Sequence, residues 1–394
     1  MPDQFFHDLQ SGALQPAHVE VAVALEEVAQ QCTHCGKCKR ECLFLQEKGT
    51  PGQLAATLTE RYARQGNQAA TAATIAAELA YQCSLCGLCA ASCPEDLEPN
   101  RMFFELRREA VRNNLTELRQ YRRLLSYEKA GRSGLLRYRH LPENCDTVFF
   151  PGCALPAIRP DHVLRSYQLL QQDNPTMGIV LDCCLKPSHN LGRQTFFTSG
   201  FSQLMAQFAT SGIQKIITVC TDCHQTFRQY AAPLEITSLY EELDRLSLQG
   251  LAPAAPSHTR AFTIHDPCTS RTEHSVHQAV RNLSRRSGVQ VQEMQHNRAK
   301  TYCCGEGGSV GSVRPDYAAS WSTRRHAEAK GLSLITYCAG CTMHLSGNAK
   351  GKVVHLTDLI FGDNHPGLLK RLPARPPFTY LNRLLLKRKL RQLL

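Results

Sequence analysis

Eighteen of the nineteen cysteines in this chain fall into four ordered groups, which commits any fold to gathering sulfur. Cys32, Cys35, Cys38 and Cys42 have the spacing C-x2-C-x2-C-x3-C, and Cys83, Cys86, Cys89 and Cys93 repeat it with Pro94 following. The third group is Cys153, the pair Cys183–Cys184, and Cys220-x2-Cys223. The fourth is Cys268, the pair Cys303–Cys304, and Cys338-x2-Cys341, so that only Cys145 is left over and reads as a buried or inert thiol. Thiols at such spacings serve metal, disulfide or redox chemistry. A disulfide framework belongs mainly to small secreted folds. Here 394 residues suffice for two or three domains, and the start MPDQFFHDLQSGALQP has neither the basic end nor the apolar core of a signal peptide. The longest uncharged stretch, 194–214, is broken by Gln, Ser, Thr and Gly, whereas a membrane span needs about 20 mostly apolar residues. The expectation is a soluble protein in the cytoplasm, free or held at the inner face of the membrane through a partner.

The formal charge of +11 counts every cysteine as neutral. Metal-bound cysteines are thiolates, so two clusters on the first eight would subtract about four charges. The remaining basic surface suits an acidic protein partner, an anionic substrate or an anionic membrane face. No nucleic-acid recognition motif accompanies it, and no nucleic acid is expected to bind.

Along the chain, 17–31 reads as a helix with Val21, Val23, Leu25 and Val28 apolar, and 67–82 as an Ala-rich helix. From Asn100 to about Lys129 a long basic helix is expected, with Asn100 able to cap it and Pro99 before it. The first ~140 residues are therefore read as all-helical with cysteine loops. Beyond them, short apolar runs at 147–150, 178–181, 215–219, 261–264 and 332–337 each stop just before a cysteine group, or at an Asp or Pro that leads into one. Helical stretches lie between them, which predicts α/β folding with parallel strands. Open α/β sheets place their ligand crevice at the carboxyl ends of strands, where these cysteines fall. The spans 147–250 and 261–365 look like an internal duplication: the paired cysteines follow the first cysteine by 30 and 35 residues. The C-x2-C groups follow the pair by 36 and 34 residues, and each leads to a strand and short helix, LEITSLYEEL and VVHLTDLIF. The expected divisions are a helical domain over 1–140, cysteine domains over 141–255 and 256–365 with LAPAAPSHTR (251–260) as linker, and a basic tail over 366–394. The fold class is α+β overall: an all-helical N-terminal domain, then two duplicated Rossmann-like α/β domains.

In a C-x2-C-x2-C-x3-C run, three cysteines wrap one face of a cubane while the fourth reaches a second cluster. Cys32, Cys35, Cys38 and Cys93 would hold one [4Fe-4S] cluster, and Cys83, Cys86, Cys89 and Cys42 the other. Structural zinc is the alternative, although it favours paired knuckles. This part resembles the helical bacterial-type ferredoxin module of fumarate reductase and heterodisulfide reductase subunits. Vicinal cysteines suit two irons side by side or a bridging thiolate, and five cysteines per copy exceed the four of a cubane or a zinc site.

The pattern C-xn-C-C-G-xn-C-x2-C resembles the cysteine-rich CCG domain. Two such domains behind a two-cluster ferredoxin module look like the fused heterodisulfide reductase catalytic subunit, over roughly residues 30–360. The iron–sulfur subunits of glycolate oxidase, lactate oxidation and anaerobic glycerol-3-phosphate dehydrogenase are similar in layout. The first resemblance implies an oxidoreductase of anaerobic metabolism in which each five-cysteine motif holds a noncubane [4Fe-4S] cluster. There a small disulfide is cleaved, or thiols are oxidised, in two one-electron steps with sulfur binding to iron. By position, the catalytic ligands would be Cys153, Cys183, Cys184, Cys220 and Cys223 at one site. At the other they would be Cys268, Cys303, Cys304, Cys338 and Cys341. Zinc is the alternative at the second site, and a structural or partly filled site at the first. Gly305 follows the second pair as the motif asks, but Leu185 follows the first, which puts the geometry of that copy in question. The second resemblance implies a non-catalytic relay from a flavoprotein dehydrogenase to a quinone or another carrier. No GxGxxG or GxxxxGK[ST] occurs, so a flavin or pyridine nucleotide is expected on a partner subunit.

Around these groups stand Arg159, Lys186, His189, Arg193, His224, His265 and Arg271, each of which reads more readily as a satisfied side chain than as part of a cationic crevice. The tail FTYLNRLLLKRKLRQLL is helix-prone, but Arg383, Lys387 and Arg388 interrupt its leucines, so docking on a partner or lipid and plain solvation are both open.

Overall fold

The computed structural model describes residues 17–62, 67–246, 261–348, 352–362 and 373–394; the N-terminal start and the 251–260 linker lie outside them. The chain forms two compact units, each assembled from three stretches. One comprises Met1–Leu125, Pro187–Ser202 and Gly305–Trp321; the other Ser126–Lys186, Gln203–Cys304 and Ser322–Leu394.

The first unit is helical, with main helices Ala17–Gln31, Pro51–Tyr62, Asn67–Tyr81 and Pro99–Arg112. The buried stripe of the first is Val21, Ala24, Leu25 and Val28, the i, i+3, i+4, i+7 face. Val23, apolar but off that face, is exposed, because a step of two falls on the opposite side of a helix. The stripe packs with Leu58, Ala76, Ala80, Phe103 and Leu106. The expected long basic helix is two helices. Pro99–Arg112 stops at Asn113, Asn114 takes the left-handed conformation (φ 53°), and the Leu115 amide donates back to the Ala110 carbonyl at 2.8 Å. Asparagine tolerates that conformation and so can close a helix as glycine does. The helix Arg122–Gly131 follows a 3-10 turn. Asn100 does not cap: Pro99 already occupies the first turn, and the Asn100 Oδ1 accepts from the Cys89 thiol at 3.9 Å.

The second unit carries two sheets. The first has the order β1-β3-β2-β4-β5, from Tyr138–His140 (β1), Thr147–Phe150 (β2), Gly178–Leu181 (β3), Lys215–Thr218 (β4) and Glu235–Ser238 (β5). The second has the order β7-β6-β8-β9, from Ala261–His265 (β6), Gln290–Val291 (β7), Ser333–Thr336 (β8) and Val353–His355 (β9). All pairings are parallel except β1 with β3, where Tyr138 opposes Leu181. Registers match between the copies, with Phe149 beside Ile217 and Ile264 beside Ile335. Numbered within a copy, the shared order is 2-1-3-4, a doubly wound sheet whose strand order reverses between strands 1 and 3. Strands β2, β3 and β8 are buried along their whole length, as parallel strands covered on both faces must be.

Two strands escaped the sequence reading. β1 is a half-buried antiparallel edge strand, and β7 is two polar-flanked residues with no apolar run to announce it. The tail also differs from expectation. Phe378–Leu393 is a helix whose Leu386 and Leu390 enter the core of the second unit. Lys387 donates to the carbonyls of Gly134 and Leu135 at 2.6 and 3.0 Å, and Arg383 to that of Gly131 at 3.3 Å. The charged heads that break the leucine stripe thus end on carbonyls at and past a helix C-terminus, while their stems cover apolar surface.

Candidate metal centres

In the first unit the two cysteine runs have the same backbone. His34 and Leu85 (φ 54° and 49°) and Gly36 and Gly87 (φ 72° and 69°) take left-handed conformations at equivalent positions. Each glycine then opens a short helix, Lys37–Glu41 or Leu88–Ala91. Alternating left-handed residues turn three successive cysteines inward. Room for the first loop depends on Gly52, where a Cβ would lie 2.6 Å from His34 and 2.8 Å from the Cys32 Cβ.

Burial pushes the Cys38 thiol up to about 11, with repulsion from Cys32, Cys35 and Cys93 adding to it. Burial likewise raises Cys42, beside Cys86 and Cys83, and raises Cys89, beside Cys83, Cys86 and Cys42. The last cysteine of each run therefore stands among cysteines of the other run. Crowded, half-buried thiols of this kind suit a cation shared by thiolates, and the donor set fits two four-sulfur sites.

The ten cysteines of the third and fourth groups all belong to the second unit. Topology brings the first cysteine and the C-x2-C of each copy together, because they follow strands 1 and 3, the neighbours at the switch point. In the first copy the thiols form a chain: Cys153 bonds Cys183, Cys183 bonds Cys184, and Cys184 bonds Cys223, which bonds Cys220. Donation from Cys183 and Cys223 lowers Cys184 to about 5, while its neighbours are raised. In the second copy Cys338 is lowered by donation from Cys220 and Cys341, and Cys341 is raised by its bonds with Cys304 and Cys338. The Cys220–Cys338 bond joins the copies, as does a 2.9 Å bond from Thr269 to Thr221. The two sulfur sites adjoin.

Leu185 adopts the left-handed conformation (φ 64°) at the position where Gly305 has φ 108°, so the first copy keeps the turn despite its missing glycine. The Leu185 amide donates to the Cys183 sulfur at 3.4 Å. Leu185 is fully buried, and its packing offsets the roughly 1–2 kcal/mol cost of that conformation.

Most of the basic residues near these cysteines prove to be structural. Arg159 forms a buried bidentate pair with Asp358 at 2.5 and 3.0 Å. His224 bonds Thr218 at 3.0 Å and faces Glu273 at 3.4 Å. Arg271 donates to the Ala299 carbonyl. His189 and Arg193 belong to the first unit, where His189 stacks on Phe104 at 4.6 Å and Arg193 donates to Ser188 at 2.9 Å. Cys145 is buried and donates to the Thr147 carbonyl at 3.3 Å.

Two basic residues do face sulfur. Lys186 is buried, and burial lowers it against the opposing pull of Asp222, Cys184, Cys268 and Cys223, so its ammonium stands by cysteines of both copies. His265 lies with Cys304 and Cys341, one ligand atom from each within 4.8 Å of the others. Burial, and then Arg325, push the His265 imidazole down to about 3, so it is neutral. No local pattern in the sequence points to Arg325, nor to the hub at Asp266. Asp266 takes both terminal guanidinium nitrogens of Arg281 at 2.8 Å, the Tyr337 hydroxyl at 2.9 Å and the Arg298 amide at 2.7 Å, fixing the strand end before Cys268.

Residues 28–97 match the family described as 4Fe-4S dicluster domain, and 147–228 and 262–346 each match the cysteine-rich CCG domain. One of the subunits of the fumarate reductase (CoM/CoB) of Methanothermobacter marburgensis is 25% identical over 370 residues, covering 84% of this chain and 72% of that protein. The EtfAB:quinone oxidoreductase of Syntrophomonas wolfei is 26% identical over 258 residues, 57% of this chain and 36% of that protein. A crystal structure of a hypothetical protein from Helicobacter pylori covers 93% of this chain and 76% of its own at TM-score 0.52 and 12% identity, a likeness of fold alone. No helix among the described residues is long and apolar enough to cross a membrane. The chain fuses a 4Fe-4S dicluster domain to two CCG cysteine-rich domains, an architecture that matches the heterodisulfide reductase-like iron–sulfur proteins.

Proposed function

We propose that this chain is the disulfide-reducing, or thiol-oxidising, subunit of an oxidoreductase complex. In this reading Cys32, Cys35, Cys38 and Cys93, and Cys83, Cys86, Cys89 and Cys42, would hold two cubane clusters that would relay electrons from a flavoprotein or other donor subunit. Cys153, Cys183, Cys184, Cys220 and Cys223, and Cys268, Cys303, Cys304, Cys338 and Cys341, would hold the noncubane clusters that would receive them. The observation that carries the reading is the junction of the two five-cysteine sites at Cys220 and Cys338. Cleaving a disulfide takes two electrons and leaves two thiolates, a need met by two one-electron centres side by side. When bound, the iron centres would supply those electrons and take up sulfur. The chain's own part would be to exclude water, since all of the ten cysteines except Cys153, Cys220 and Cys268 are buried, and to present the Lys186 Nζ. That ammonium would attract an anionic thiol or disulfide and give a proton to a departing thiolate.

Iron and sulfide analysis after oxygen-free purification tests occupancy: about sixteen irons per chain is expected for four four-iron clusters. Zinc in place of iron at the two five-cysteine sites would refute the reading. EPR of the oxidised protein with added thiol then tests chemistry. A new paramagnetic signal is expected, and intact clusters without one would favour a relay role instead. The likeness to a quinone oxidoreductase favours that second reading, in which electrons from a flavoprotein dehydrogenase of glycolate, lactate or glycerol-3-phosphate type pass on to a quinone or other carrier.

A further inference from the structure

The duplicated sites differ where the first strand of each copy ends. Three residues before its first cysteine, the first copy ends its strand with Phe150 and the second with His265. Phe150 packs edge-on against Phe227, ring centroids 4.9 Å apart, as a core side chain. His265 is wholly buried, yet neither ring nitrogen has a hydrogen-bond partner. A buried imidazole without any partner is costly, and such orphans call for a missing group. The orphans extend outward: the hydroxyl of Thr336, paired in register with His265 across β6 and β8, is also buried and unpartnered. So are Nε and one terminal nitrogen of Arg325, a fully buried side chain.

We propose that His265 is a sixth donor of the second cysteine site, binding iron through a ring nitrogen beside Cys304 and Cys341, so that the two copies hold chemically different centres. The proposal rests on the reading that the second site holds iron. The spacing supports it: donor atoms within 4.8 Å of one another fit the shell of one metal ion, with bonds of about 2.3 Å to sulfur and about 2.0–2.1 Å to nitrogen in tetrahedral sites. Imidazole is a common ligand of iron. A neutral imidazole adds no negative charge, unlike a sixth thiolate, so it can join five thiolates without further charging the site.

The test is pulsed EPR of the oxygen-free full chain carrying 15N-histidine, with His265→Phe, which copies the first site, and His265→Gln alongside. The expected result is a strong hyperfine coupling from a directly bound nitrogen in the natural protein. It should be lost in both variants, with most of the iron retained on the five cysteines. A natural protein with full iron and no such coupling overturns the proposal alone, and this measurement needs no variant to fold. Persistence of the coupling in His265→Phe overturns it equally. A second site without iron overturns both the proposal and the reading beneath it.

Discussion

Arg107 is the residue of the first unit whose removal should be felt furthest. It is wholly buried, and burial lowers the guanidinium below its ordinary range, yet no carboxylate pairs with it among its described hydrogen bonds. It donates instead to four carbonyls: Ala80 at 3.1 Å, Asn190 at 2.8 Å, Gly308 at 2.9 Å and Cys83 at 2.6 Å. These lie in the three separate stretches from which the unit is built. Its cation also sits 4.8 Å from the Tyr81 ring centre, and Tyr81 donates to the Leu191 carbonyl at 2.8 Å. In Arg107→Met the side chain stays long and loses every donor. Ala80 retains the Cys83 amide as a partner. The Asn190 and Gly308 carbonyls would each forfeit about 1–3 kcal/mol. Relief from burying a charge returns part of this, leaving a net loss of about 3–5 kcal/mol, the usual range for stripping one partner from a buried charged group. Arg107→Lys should fall between, because three donors at one point cannot span a planar fork. The assay is hydrogen exchange on the oxygen-free holoprotein, read at 187–202 and 305–321, with a urea melt beside it. Protection in both stretches should fall together, by a factor of at least about 100 for 3 kcal/mol. Unchanged exchange at either stretch, or a loss under about 1 kcal/mol, would refute the view of Arg107 as their shared anchor.

Two further perturbations bear on the second unit. Burial alone would raise the Asp358 carboxyl, but the Arg159 guanidinium outweighs it and holds the group below its ordinary range. A carboxylate depressed by folding stabilises above its unfolded value of about 3.9, and that contribution disappears as pH falls through the lower folded value. Urea melts from pH 6 downward should therefore lose stability below about pH 4, and Asp358→Asn should flatten that limb while costing about 3–5 kcal/mol at neutral pH; an unchanged limb would count against the assignment. Leu185→Gly relieves about 1–2 kcal/mol of left-handed strain but removes a fully buried leucine worth about 2–5 kcal/mol, so the variant should melt earlier, and a stabilised one would mean the leucine contributes little.

The cysteine spacing makes the sites legible because it is a local rule: three steps of three wrap a loop, whatever surrounds it. The strands before Cys153, Cys183, Cys220, Cys268 and Cys338 are legible for a related reason, since strands covered on both faces leave continuous apolar runs. What stays hidden depends on neighbours distant in sequence. The Asn113–Asn114 helix stop is present in the sequence as a local signal, but the apolar and basic pattern around it masks it. By contrast, nothing local says that Lys387 ends on the carbonyls of Gly134 and Leu135, or that Arg107 draws together residues 27, 83 and 201 positions away. His265 is visible as a histidine near Cys268, but its lack of partners emerges only when β6 and β8 are side by side.

The duplication fixes the layout of the sulfur sites and leaves their details free to diverge. A 2-1-3-4 strand order brings the cysteines after strands 1 and 3 together in both copies without help from any one side chain. The residue just before the first cysteine shows how far the copies have parted. Gly152 has φ 75°, and a Cβ there would stand 2.9 Å from the Cys223 sulfur and 3.3 Å from the Cys220 Cβ. Its counterpart Pro267 has φ −64°, the value a proline ring imposes. Proline cannot adopt the first conformation, and any side chain at Gly152 would press on sulfur. The two first-cysteine loops therefore reach equivalent places by different backbones and cannot be exchanged. With Phe150 set against His265 two residues earlier, the approach to each site is built differently while its five sulfurs are kept, which is what two centres with separate tasks would require.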